Sequence, residues 1–99
     1  MYGTVAYFRV KPGMEVQFGE LLRAYEAVNI PGWVVTYVYR MDANKNDHYM
    51  AVVFESKETY LKNAESPEQD ARYRQLVALL ESAPEWHDGE IISAIKKAT

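Results

Sequence analysis

Cysteine is absent from this 99-residue chain, which removes disulfides, thiolate nucleophiles and cysteine-held zinc or iron–sulfur centres in one step. Long hydrophobic runs are missing too. The longest strictly aliphatic one, Leu76 to Leu80, falls far short of the roughly 20 residues of a membrane-spanning helix. Nothing after Met1 reads as a basic stretch followed by an apolar one, so a soluble protein is expected, with the cytoplasm as the default location. An excess of positive charge is also lacking: 11 Lys and Arg against 14 Asp and Glu leave a net charge of −3. The cations are scattered, so a nucleic-acid partner is not expected. Histidine is scarce. His48 and His87 lie far apart, without the i, i+4 spacing of a zinc helix, and no metal site is expected from them.

What is present is apolar and aromatic. Hydrophobic residues make up 48% of the chain and tyrosine alone contributes eight, enough for one folded domain over residues 1–99 and too little chain for two cores. The central stretch reads as two strands, Trp33 to Arg40 and His48 to Glu55, joined by a polar loop from Met41 to Asp47. Strict alternation places Trp33, Val35, Tyr37 and Tyr39 on one face and Val34, Thr36 and Val38 on the other. Both faces are apolar and both need a cover.

Upstream, Tyr2 to Val10 alternates as a strand, and Lys11-Pro12-Gly13 ends it. Met14, Phe18, Leu21, Leu22, Tyr25 and Val28 then recur at helical spacing, opposite Glu15, Gln17, Glu20, Arg23 and Glu26. Gly19 within that helix either permits a close approach or does nothing in particular. Downstream, Ser56 can cap a short helix with Tyr60, Leu61 and Ala64 pointing inward, and Ser66-Pro67-Glu68-Gln69 signals a second helix start. That second helix is expected to run to Ser82 with Tyr73, Leu76, Val77 and Leu80 inward. The loop from Glu85 to Gly89 should lead into a last strand from Glu90 to Ile95, and Lys96 to Thr99 should fray.

The order strand, helix, strand, strand, helix, strand predicts an α+β ferredoxin-like βαββαβ sandwich, a four-stranded antiparallel sheet with helices on one face. The helix-free face then exceeds what a soluble monomer leaves open, so a homodimer closed sheet to sheet is expected.

Four stretches sharpen this picture: Val10-Lys11-Pro12-Gly13, Pro31-Gly32, Val53-Phe54-Glu55-Ser56-Lys57-Glu58 and Pro84-Glu85-Trp86-His87-Asp88-Gly89-Glu90. With them the chain resembles, over essentially its whole length, the antibiotic biosynthesis monooxygenase family of the dimeric α/β-barrel superfamily. The resemblance implies a dimeric α/β barrel in which Ala6 and Phe8 meet the helices while Val5 and Tyr7 meet the partner copy. Its activities are diverse, including oxygenases of polycyclic phenolics, haem-degrading enzymes, isomerases and proteins with no known reaction. Haem-degrading relatives use an Asn, a Trp and a His. Ala6 and Asn63 occupy the first two positions here, and the segment from Ser66 to Ser82 holds no histidine, which argues against haem breakdown.

For an oxygenase without a cofactor, the resemblance implies that the ionised substrate itself supplies the electrons. The chain would provide an apolar pocket, a base and an oxyanion donor. The candidate catalytic groups are His87, Tyr60 and Tyr73, and the candidate substrate contacts are Trp86, Asn63 and Phe8. A histidine side chain can accept a proton at neutral pH, and His87 has Asp88 beside it, although a histidine before a strand is more commonly a solvated loop group. Trp86 can equally plug the end of a small core, and Tyr60 and Tyr73 can equally pack with their hydroxyls at the rim. Three functions follow: a cofactor-independent monooxygenase of a small aromatic or polyketide-like compound, a dimeric ligand-binding module without catalysis, or an isomerase or lyase on the same scaffold.

Overall fold

The computed structural model describes residues 1–98; Thr99, the last residue of the tail expected to fray, lies outside them. Strands β1 (Tyr2–Arg9), β2 (Trp33–Arg40), β3 (Asp47–Phe54) and β4 (Glu85–Glu90) form one antiparallel sheet in the order β2-β3-β1-β4. Helices α1 (Glu15–Glu26), α2 (Lys57–Ala64) and α3 (Pro67–Val77) provide the two crossovers. The fold is the expected ferredoxin-like α+β sandwich.

All three helices cover the face that carries Ala6 and Phe8. Those residues are 0% and 2% exposed, whereas Val5 on the opposite face is 50% exposed. The core gathers Phe8 and Val10 from β1 and its end, Phe18 from α1, and Leu76 and Leu80 from around α3. His48 is buried in it, stacked parallel on Phe8 at 5.4 Å between ring centres and edge-on to Phe18 at 5.0 Å. Its Nδ1 lies 2.9 Å from the carbonyl oxygen of Asn46, so that nitrogen carries the hydrogen.

Local chemistry sets the element ends. Ser56 caps α2 through a reciprocal pair with Thr59, whose backbone N–H donates to Ser56 Oγ at 3.1 Å while the Ser56 N–H donates to Thr59 Oγ1 at 3.3 Å. At α3 only half of the expected arrangement forms: Ser66 Oγ accepts from the Gln69 N–H at 3.1 Å and Pro67 sits in the first turn. Before β2 the chain turns at Gly32 with φ +80°, and a Cβ there would meet the Thr59 side chain. The Glu55 N–H donates to the Gly32 carbonyl at 2.7 Å and closes the turn.

Three elements depart from the sequence expectations. α3 stops at Val77, because Leu80 is drawn under β1 in an isolated bridge with Val10. Lys11 N–H to Leu79 O at 2.8 Å and Glu81 N–H to Arg9 O at 2.9 Å replace the helical bonds that the predicted run to Ser82 would make. The last strand is Glu85–Glu90, not Glu90 to Ile95. β4 pairs with β1 from Tyr7↔Glu85 to Tyr2↔Glu90, the Ile91 N–H donates to the Met1 carbonyl at 2.9 Å, and there the partner strand ends. Ile91 to Ile95 have strand-forming residues but no ladder to join. Finally, the register of β2 on β3 shifts between Trp33 and Val35, with Val34 as the extra residue. This bulge moves Trp33 from the face of Tyr37 and Tyr39 to that of Thr36 and Val38.

Candidate functional site

Beneath the helices, the sheet is only partly filled. Its small or slender side chains at Thr4, Val38, Met50 and Val52 leave a cavity of about 630 Å³ against α1, α2 and α3. That volume lies within the range of small-molecule sites. The wall is mainly apolar, with Phe18, Leu21 and Leu22 from α1, Phe54 from β3 and Leu76 from α3. Polar groups come from the sheet, as Thr4, Thr36 and Asp88, and from the helices, as Glu26, Asn63, Gln69 and Asp70.

At the β2 end, the bulge aims the Trp33 indole into the cavity wall, where Nε1 donates to Thr36 Oγ1 at 2.9 Å. At the β4 end, Tyr60 from α2 packs against Tyr2 and, edge-on, against Phe54, with centroids at 5.2 and 5.5 Å. Its hydroxyl donates to Asp88 Oδ1 at 2.9 Å. Burial, then the adjacent carboxylate, pushes this phenol up to about 12, so it stays protonated at neutral pH. Tyr25, on the α1 side, is also raised by burial. Tyr73 and Trp86 face each other across α3 and β4 with ring centres 6.2 Å apart.

Five of the six residues proposed from sequence line this cavity: Tyr60, Tyr73, Trp86, Asn63 and Phe8. Phe8 is at its closed end, as part of the core. His87 is not among them. Because β4 includes the segment expected to be a loop, Trp86 pairs with Ala6 on the helix face, and His87 pairs with Val5 on the opposite face. There its Nε2 lies 3.6 Å from Glu85 Oε1, with the imidazole 68% exposed. Asp88, expected to orient His87, instead turns to Tyr60. Sequence reasoning missed Thr4, Trp33, Thr36 and Asp88 as cavity groups. Thr4 and Thr36 were legible, since they alternate with Ala6 and Phe8 and with Val38; Trp33 depends on the bulge and Asp88 on the position of β4.

The sequence profile of the antibiotic biosynthesis monooxygenase family matches residues 1–75. The chain belongs to this family. Its solved structural relatives share the fold across nearly the whole length. SnoaB, a cofactor-independent oxygenase from Streptomyces nogalater solved as an asparagine-to-alanine variant, superposes with a TM-score of 0.81 at 16% identity, covering 97% of both chains. A candidate antibiotic biosynthesis monooxygenase from Caulobacter crescentus CB15 gives 0.80 at 17% identity, over 93% of this chain and 90% of that one. A protein of unknown function from Nitrosomonas europaea gives 0.77 at 15% identity, over 99% and 95%. No curated protein matches the chain in sequence. At these identities the likeness concerns the fold, and the family's monooxygenase chemistry has to be argued from the cavity itself.

Among the described residues, no three His, Asp or Glu side chains converge as a metal set. No described helix is long and apolar enough to cross a membrane.

Proposed function

We propose that the protein is a cofactor-independent monooxygenase acting on a small aromatic or polyketide-like phenol. The observation that carries this reading is the mainly apolar cavity of about 630 Å³, with aromatic rings and several polar and carboxylate groups on its wall. An ionised phenol passes an electron to dioxygen, and the resulting radicals combine into a carbon-bound peroxide. Protonation and O–O cleavage then release water and leave a carbonyl, so that one oxygen atom enters the product and the other leaves as water. In this reading Trp86 and Phe8 hold the ring, while Tyr60, Tyr73 and Asn63 orient its oxygen substituents. Glu26, Asp70 and Asp88 are the carboxylates on the wall that can take the phenol's proton.

We further propose that the protein is a homodimer through the helix-free face, where Val5, Tyr37, Tyr39 and Tyr49 stand exposed. Tyr7 and Arg9 mark the edge of that face, donating to the same Asp47 Oδ1 at 2.7 and 2.8 Å.

An oxygen electrode with a panel of hydroxylated naphthalenes and anthracenones tests the oxygenase: uptake stoichiometric with quinone formation supports it. Turnover that persists without oxygen would indicate an isomerase or lyase. A second reading, a ligand-binding module, draws support from the lack of histidine on the described cavity wall and from the raised pKa of Tyr60. Tight binding of the same compounds with no oxygen uptake would favour it.

A further inference from the structure

Trp33 reaches the cavity only because β2 carries an extra residue. Strict alternation would set it with Tyr37 and Tyr39 on the helix-free face. The bulge at Val34 turns it instead to the side of Thr36, where it pairs with Phe54 of β3, a cavity residue only 2% exposed. A bulge disrupts the ladder locally and in doing so re-aims a side chain. Here the side chain it re-aims is an indole.

That indole is held before any ligand arrives. Its Nε1–H donates to Thr36 Oγ1 at 2.9 Å, and the Trp33 backbone N–H donates to the Ile30 carbonyl at 3.1 Å. An indole has one hydrogen to give, so Trp33 keeps no donor for a ligand and offers its ring face. The other large rings on the wall are already engaged. Trp86 faces Tyr73 at 6.2 Å between ring centres, and Tyr60 packs on Tyr2 and Phe54 at 5.2 and 5.5 Å. Among the described residues, no ring packs in this way on Trp33. We propose that Trp33 is a specificity-determining residue of the cavity, whose fixed π face selects flat aromatic ligands over saturated ones of the same skeleton. This rests on reading the cavity as a binding site for aromatic compounds. A ring stacked on the indole gains beyond its buried area, whereas a puckered saturated ring gains the area alone. Because the indole is pinned, little is lost in ordering it when the ligand binds. Thr36 acts here as a positioning residue, through the indole and not on the ligand.

The test titrates 2-naphthol and decahydro-2-naphthol calorimetrically into the full chain in oxygen-free buffer; they share a skeleton and a hydroxyl and differ in the π system. A stacked ring adds about threefold to tenfold in affinity. The ratio of the two affinities should therefore fall about threefold or more from wild type to Trp33→Leu, and Trp33→Phe, which keeps a ring face, should restore most of it. Thr36→Val leaves the indole present but unpinned, so it should lower the ratio partway and speed exchange of the Trp33 indole hydrogen. Each ratio is measured on one variant, so a loss of folded protein cancels from it. In wild type alone, naphthol should shift the Trp33 indole resonance upfield by its ring current, and the saturated alcohol should not. A ratio equal in wild type and Trp33→Leu, as expected if Trp33 only plugs the cavity, overturns the proposal. So does a Trp33→Phe ratio no higher than that of Trp33→Leu, or an indole resonance that naphthol leaves unmoved. An unchanged exchange rate in Thr36→Val overturns the positioning role of Thr36. An intact dependence on Trp33 without oxygen uptake on any phenol overturns the oxygenase reading alone; failure of both compounds to bind overturns the aromatic-site reading together with the role of Trp33.

Discussion

Replacing Ala51 by Glu should split the dimer while leaving the protomer folded. Ala51 lies at the middle of the helix-free face, paired with Val5 on one side and Tyr37 on the other. Tyr37, Tyr39 and Tyr49 are 57, 54 and 43% exposed and Val5 is 50% exposed. Each ring leaves on the order of 100 Å² open, so these four residues offer about 400 Å² per protomer. At about 25 cal/mol per Å², two such faces contribute roughly 20 kcal/mol. This exceeds the roughly 4–15 kcal/mol lost in association. A carboxylate brought into that interface without a partner costs about 3–5 kcal/mol. The homodimer carries two such carboxylates, so it should weaken by a factor on the order of ten thousand or more. Sedimentation equilibrium reads this directly: wild type should run at about twice the 11.4 kDa chain mass, and the variant should fall to the chain mass at micromolar concentration with an unchanged far-ultraviolet spectrum. A wild-type monomer, or an Ala51→Glu dimer as tight as wild type, refutes the assignment of this face.

Other outcomes follow from the protomer alone. Burial pushes the His48 imidazole below its ordinary value, despite the opposing hydrogen bond to Asn46. The unfolded chain therefore binds the proton more readily, and stability present above about pH 6.5 is lost as pH falls toward the folded-state value. Urea midpoints at pH 7.5 and 5 should differ in wild type, and the difference should shrink in His48→Phe; an equal difference in both would locate the effect elsewhere. Asp47 is held below its usual range by Arg9 and then by Tyr7, so its contribution is present above about pH 4 and disappears only on further acidification. Gly19 has nothing within 4 Å of where a Cβ would stand, so Gly19→Ala should stabilise α1 by about 0.5–1 kcal/mol and raise the melting temperature by a few degrees. Ser56→Ala removes the capping pair of α2 and should cost about 1 kcal/mol by denaturant titration. No measurable change would mean that neighbouring packing alone holds the helix start.

Alternation in β1, the helical stripe from Phe18 to Tyr25 and the cap at Ser56 are local patterns. Each was readable because the chemistry that sets it lies within a few residues. Together they specified the element order and the ferredoxin-like sandwich. They also placed Tyr60 and Tyr73 on inward-facing helix positions, whereas Asn63 came from the family resemblance and Leu61, expected inward, is 42% exposed at the surface of α2. The errors have a different origin. Glu85 to Gly89 looks like a loop and Ile91 to Ile95 looks like a strand, yet pairing goes to the polar segment because β1 begins at Tyr2 and offers hydrogen bonds only as far as Ile91. A strand exists where a partner has free backbone groups, whatever its own propensity.

That one displacement reassigned two candidates, sending His87 to the helix-free face and bringing Asp88 beneath Tyr60. The bulge at Val34 acted similarly on Trp33, since one extra residue reverses the face of everything before it. Composition and periodicity by themselves determined which segments fold and which sides of them are apolar, because those preferences are local. Which polar groups meet in the cavity was decided by register between strands distant in the chain, a property of pairs that no single stretch contains.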